Sequence, residues 1–112
     1  MNMVLTRERI LRILEEELPY LCQEYGVVRL ALYGSFAQGT PDEDSDVDLL
    51  VGLNRPLGLE FVALADHLEE RLGRRVDLAT FDTLNHSLNH PRYRPVAQSI
   101  QRTLADVRAA AG

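Results

Sequence analysis

Apolar residues recur at spacings of four and three from Ile10 through Leu14, Leu18 and Leu21 to Tyr25, the period of a helix with one face in a core. Thr6 can cap its start, Glu8 suits its first turn and Gly26 can stop it. Pro19 interrupts the stripe and predicts a kink, or two helices meeting there. The run VVRLALYG, ending at Gly34, is rich in β-branched and large apolar residues and too short for a comfortable helix, so it predicts a strand. VDLLVGL predicts a second strand, and its nearly unbroken apolar character implies cover on both faces. Leu57, Phe61, Leu64, Leu68 and Leu72 make another helical stripe closed by Gly73. RRVDLATF alternates as a third strand. The segment from Asn85 to Pro95 has two prolines and no period, which predicts a loop or one short helical turn. Val96, Ile100, Leu104 and Val107 predict a last amphipathic helix fraying into AAAG. This order of helices and strands indicates an α/β or α+β domain, a small mixed sheet flanked by helices.

At 112 residues, 46% of them hydrophobic, the chain can build one compact core, so a single domain spanning residues 1–112 is expected. Charge changes the picture locally. Lys plus Arg number 12 against 17 Asp plus Glu, a net charge of -5, which argues against binding a polyanionic backbone. Five of the acids, Asp42, Glu43, Asp44, Asp46 and Asp48, sit in one loop, and the remainder of the chain is balanced at twelve of each sign. The single cysteine, Cys22, excludes an internal disulfide and is expected as a buried structural thiol. The N-terminal stretch becomes charged at Arg7, unlike a secretory leader, and no apolar run nears the roughly 20 residues of a membrane span. A cytoplasmic protein without membrane attachment is expected.

The acidic loop enters the second strand through Asp46-Val47-Asp48. Residues two apart on a strand share a face, so the two carboxylates project into one small volume. Like charges held that close repel unless a cation lies between them. All-oxygen donors suit a hard divalent ion, Mg²⁺ or Mn²⁺. Asp77, on the next predicted strand between Val76 and Leu78, is the natural third ligand. Three aspartates around metal are an arrangement used for in-line attack on phosphorus. One strand earlier, Gly34 lets a phosphate approach the backbone and Ser35 offers a hydroxyl and an N–H. A short helix starting at Ser35 or Phe36 and closed by Gly39 would add its N-terminal amides.

The stretch GSFAQGTPDEDSDVDLLV resembles the signature of the DNA polymerase β-type nucleotidyltransferases: Gly34-Ser35, ten residues, then Asp46-Val47-Asp48, with Ser45 and Gly39 also in agreement. Its short length and the third aspartate in RRVDLATF make the chain most similar to the minimal nucleotidyltransferases, antitoxin partners of HEPN-domain RNase toxins. The resemblance is strong over roughly residues 27 to 80. It implies the polymerase β-like fold and transfer of AMP from ATP to a hydroxyl, with release of pyrophosphate; in the antitoxin branch that hydroxyl resembles a tyrosine of the toxin, whose modification silences its RNase. Asp46 and Asp48 would hold the metals, Asp77 would ligate the catalytic metal and accept the acceptor's proton, and Gly34 and Ser35 would hold the triphosphate. Many minimal members carry Arg where this chain has Gln38, so a triphosphate contact from that position is weaker or supplied elsewhere.

Simpler roles stand beside these. Asp42, Glu43 and Asp44 read as a solvated loop. A calcium-binding EF-hand loop starting at Asp42 would need Gly and Glu where Val47 and Leu53 stand, and is rejected. Asp77 could instead pair with Arg74 or Arg75. His67, His86 and His90 have no ligand spacing, and Arg92-Tyr93-Arg94 is a patch for a nucleotide or partner, or an ordinary turn. The chain is too short and too acidic to grip template or tRNA. The acceptor is therefore expected on a cognate toxin that covers the open side of the site, in a hetero-oligomer or alongside a homodimer, with no direct nucleic-acid contact. A non-catalytic antitoxin acting by binding alone, and a small-molecule transferase of the aminoglycoside type, are the alternatives.

Overall fold

The computed structural model describes residues 5–108. Helix α1, Arg7–Tyr25, begins where the Thr6 hydroxyl accepts the Arg9 N–H at 3.2 Å, and it buries Ile10, Leu14 and Leu21. Pro19 neither splits nor ends it. The ring lies on the exposed side, between turns anchored by the buried Leu14 and Leu21, so the lost N–H bond is a local defect in a helix held by its packing. Cys22 follows Leu21 around the helix onto solvent and is exposed, against the expectation of a buried thiol.

Strand β1 (Val27–Tyr33) is followed by the five-residue helix α2 (Gly34–Gln38), then strand β2 (Val47–Leu53), helix α3 (Glu60–Leu72) and strand β3 (Val76–Thr80). Helices α4 (Phe81–Leu88) and α5 (Arg94–Thr103) and a two-residue strand β4 (Ala105–Asp106) complete it. The sheet order is β3-β2-β1-β4, with β2 and β3 parallel and the other pairs antiparallel. On one face Leu30, Leu32, Val47, Leu49 and Val51 join the buried residues of α1 and α3 in the main core. On the other, Leu50 packs with Leu84 of α4 and Ala97 of α5 in a second, smaller cluster. β2 is thus covered on both faces, as its apolar run implies. Glu17 ties the two back helices together, bonding His67 Nε2 at 2.9 Å and pairing with Arg71.

Two segments depart from the sequence reading. The segment expected as a loop or one short helical turn from Asn85 instead holds the second half of a full helix, α4, which starts at Phe81 and whose cap is Thr80: its hydroxyl accepts the Thr83 N–H at 3.1 Å. Phe81, Leu84 and Leu88 supply the helical period, but Phe81 had been counted with the preceding strand, which hid the first of the three. Pro95 starts the next helix rather than breaking one, sitting in its first turn where no N–H partner is needed. The final helix stops at Thr103, short of the expected Val107. The chain turns extended at Leu104 and pairs with β1, and Val107 donates its N–H to Leu30 O at 2.8 Å with its side chain buried in the main core. The open edge of β1 offers backbone partners that a further helical turn would leave unused. The terminal AAAG lies outside the described residues.

Core burial and surface charge should separate cleanly in urea unfolding. Leu68→Ala, at a fully buried position of α3, is expected to lower the unfolding free energy by about 2–5 kcal/mol. Asp106→Asn, which removes an exposed ion pair to Arg29, should change it by less than about 1 kcal/mol.

Candidate active site

Register builds the site. Tyr33 is the Cα partner of Asp48 across β1 and β2, and Asp48 is the partner of Asp77 across β2 and β3. Residues directly opposed in a sheet share a face, so one rung carries a phenol and two carboxylates side by side on the α4–α5 face. Asp46 stands two residues upstream of Asp48, flanking the buried Val47, which anchors the strand entry by donating its N–H to Arg75 O at 2.9 Å.

Gly34 follows Tyr33 with φ at 76°. A Cβ there would meet Asp48 Oδ2 at 2.1 Å and its Cγ at 3.0 Å, so the Asp48 carboxylate lies directly on the glycine backbone. Only a residue without a side chain fits, for conformation and for space. Ser35 comes next, half-buried in α2, and Phe36 is buried and fixes that helix to the core. Gly39 closes it, and Gln38 is exposed at its end.

The charge cluster leaves its mark on Asp48. Burial, then Asp77, then Asp46 push its carboxyl up to about 6. The Tyr33 phenol is pushed up to about 12 by burial and by Asp77 and Asp48. No ion pair to Asp46, Asp48 or Asp77 is found among the described residues. The donor set therefore fits a hard divalent cation: oxygens only, half-buried at Asp46 and Asp48, and mutually repelling at Asp48. It is an open row rather than a closed cage, for among the described residues no three His, Cys, Asp or Glu side chains form a group able to hold a metal by themselves. Asp77 is exposed, because β3 is the sheet edge; its claim on the site comes from register and not from the burial that its apolar neighbours suggest.

Arg74 does not pair with Asp77. Its Nε donates to Ser45 O at 2.8 Å, and the same guanidinium donates to Asp42 O at 2.9 Å and Glu43 O at 2.6 Å, while lying 5.4 Å from the Phe36 ring centroid. One cation thereby links the acidic loop, α2 and the turn into β3. Asp42 is used within the loop, its carboxylate accepting the Asp44 N–H at 2.9 Å, and Asp42, Glu43 and Asp44 are all exposed, in keeping with a solvated loop. Neither the Arg74 clamp nor the place of Tyr33 in the rung was visible in the sequence; the only signal for the first was a base lying near an excess of acid. His67 serves the α1–α3 contact, while His86 and His90 are exposed.

Because the folded state holds the Asp48 proton more tightly than the unfolded chain, whose ordinary value is 3.8, stability should fall as pH rises from about 4 to about 6 and stay lower above that. Asp48→Asn cannot ionise. In chelator-treated protein it is expected to melt above the unsubstituted chain at pH 7.5 and alongside it near pH 4, read by thermal denaturation. Arg74→Ala should raise the rate of proteolytic cleavage between Thr40 and Asp46 several-fold by freeing three loop carbonyls.

The family model for the nucleotidyltransferase domain matches residues 9–101. The chain is 38% identical over 86 residues to the protein adenylyltransferase MntA of Thermococcus cleftensis, a match covering 76% of this chain and 87% of that one. A solved structure provisionally named a minimal nucleotidyltransferase superposes with a TM-score of 0.67 at 32% identity, over 93% of this chain and 98% of the other. The MNT antitoxin in complex with a tri-AMPylated HEPN toxin of Shewanella oneidensis shares the fold, with a TM-score of 0.55 at 16% identity, over 89% of this chain and 73% of that one. With the Gly-Ser turn, the aspartate pair and the rung to Asp77 all in place, this chain belongs to the nucleotidyltransferase domain family, among its minimal members.

Proposed function

We propose that this protein is an antitoxin-type protein adenylyltransferase that moves AMP from ATP to a hydroxyl, that of a tyrosine, on a cognate HEPN RNase toxin and so neutralises it. The observation that supports this most is the shared rung of Asp48 and Asp77, with Asp46 at the strand entry and Gly34 pressed on the Asp48 carboxylate. Asp46, Asp48 and Asp77 would hold Mg²⁺, or Mn²⁺, whose chemistry is to polarise phosphate oxygens and to acidify the attacking hydroxyl. Gly34 gives the triphosphate room beside the backbone, and Ser35 offers it a hydroxyl and an N–H. Asp77, exposed at the sheet edge, takes the proton from the acceptor hydroxyl. The oxygen so freed forms a bond to the α-phosphorus as the α–β anhydride bond breaks, and pyrophosphate leaves with that electron pair. Work of this kind belongs in the cytoplasm, where an exposed cysteine such as Cys22 stays reduced; no helix among the described residues is long and apolar enough to cross a membrane. The toxin, rather than nucleic acid, covers the open face.

Incubating the protein and its co-purified partner with labelled ATP and Mg²⁺ is expected to label the partner. Asp46→Ala should reduce labelling at least about 100-fold, since even residues that merely support a metal ligand are worth 10- to 100-fold. Full protection of cells by an Asp46→Ala, Asp48→Ala double variant would replace this reading with neutralisation by contact alone. Turnover of a free hydroxylated compound without any partner would point to a small-molecule transferase.

A further inference from the structure

Asp77 stands on the outermost strand of the sheet, and the backbone of that strand has one side without a β partner. The register decides which groups lie there. Val47 donates its N–H to Arg75 O, so Asp77 turns its own N–H and C=O inward to β2, and alternation turns those of Val76 and Leu78 outward. The Val76 N–H fits this frame: it donates to Glu69 Oε2 at 3.0 Å, a side chain standing in for a missing strand. At Leu78 the outward N–H and C=O have no hydrogen-bond partner among the described residues. Such an exposed pair is a template for a further strand. On the back of the sheet the same edge borders a groove of about 780 Å³, whose apolar lining includes Leu57, Phe61 and Leu78 and whose acid is the exposed Asp82.

We infer that β3 takes an extended segment of the acceptor protein as an added antiparallel strand, with the hydroxyl-bearing residue opposite Asp77 and an apolar residue just before it. The inference rests on the nucleotidyl-transfer reading and extends it to how the acceptor is held. Opposite Asp77, whose backbone faces inward, the two strands form a non-hydrogen-bonded pair, in which Cα atoms lie about 4.5 Å apart and side chains come closest. The acceptor side chain then stands on the α4–α5 face as the next member of the rung after Tyr33, Asp48 and Asp77, beside the carboxylate that takes its proton. The residue before it lies opposite Leu78 and exchanges both backbone hydrogen bonds with it. By the period of two it points to the other face, toward the apolar groove, so backbone bonding supplies affinity and the groove supplies selectivity. Charge narrows the occupant. Asp77 and Asp82 are exposed along the edge and Asp46 flanks the rung, so the segment carries no acid next to its acceptor residue. A second copy of this chain is a poorer occupant, because its β3 would bring a further Asp77 and Asp82 to the same edge.

Mass spectrometry of the labelled, co-purified partner supplies the probe: a synthetic peptide of about nine residues, a common strand length, centred on the labelled residue and used with the full chain, ATP and Mg²⁺. Methylating the backbone nitrogen of the residue before the labelled one, the nitrogen that faces Leu78 O, should slow labelling at least about fivefold, as loss of one backbone hydrogen bond does. Methylating the nitrogen of the labelled residue itself, which faces away from β3, should change the rate by less than about twofold. In the protein, Leu78→Pro removes the outward N–H at an edge position, where proline is tolerated. Labelling of the whole partner should then fall at least about fivefold, with ATP affinity by calorimetry unchanged. Equal effects of the two methylations, or full labelling of the partner by folded Leu78→Pro protein, overturn the inference and leave the transfer reading standing. A peptide that stays unlabelled while the whole partner is labelled does the same. If Leu78→Pro does not fold, the methylated peptides decide alone. A partner that is never labelled defeats the nucleotidyl-transfer reading along with the inference.

Discussion

The site depends on backbone hydrogen bonding between β1, β2 and β3. Register alone places Tyr33, Asp48 and Asp77 on one rung, and a strand has period two, so slipping β2 by one residue would send Asp48 into the main core and Leu49 into the site. The burial of Val47, Leu49 and Val51 against α1 and α3 makes such a slip prohibitive. Hydrophobic packing on the back of the sheet thus holds charged groups in place on the front. Gly34 completes the constraint by removing the one side chain that would compete with Asp48 for space.

This arrangement gathers carboxylates without pairing them with bases. Arg74, beside the acidic loop, gives its donors to loop carbonyls, and among the described residues no ion pair compensates the charge repulsion on Asp48. A chain selected only for stability gains nothing from that repulsion. A chain that must bind a cation and a phosphate does, because the strain is relieved when the positive charge arrives.

Local features were legible from the amino acids, and non-local ones were not. β2 could be read to the residue because an apolar run bounded by an acidic loop has few other interpretations, and the Gly34 to Asp48 spacing lies within one contiguous stretch. Helix α1 was legible despite Pro19, since its stripe continues beyond the proline. The place of Asp77 beside Asp48 needs the parallel pairing of strands separated by α3, which no local pattern encodes. Strand β4 was missed for the related reason that Leu104 and Val107 keep a helical spacing by chance while β1 presents a free edge. Cys22 shows how far one residue matters on a helix, exposed next to the fully buried Leu21.

The Arg74 clamp has a consequence for how the site tolerates acid. Carboxylate partners would let go on protonation, but the three oxygens that Arg74 grips belong to peptide groups and carry no titratable proton. Through the range in which Asp48 gains or loses its charge, Arg74 keeps its hold on the loop that delivers Asp46. Protonating Asp48 therefore removes one charge from the site without loosening this clamp, which holds by peptide oxygens alone.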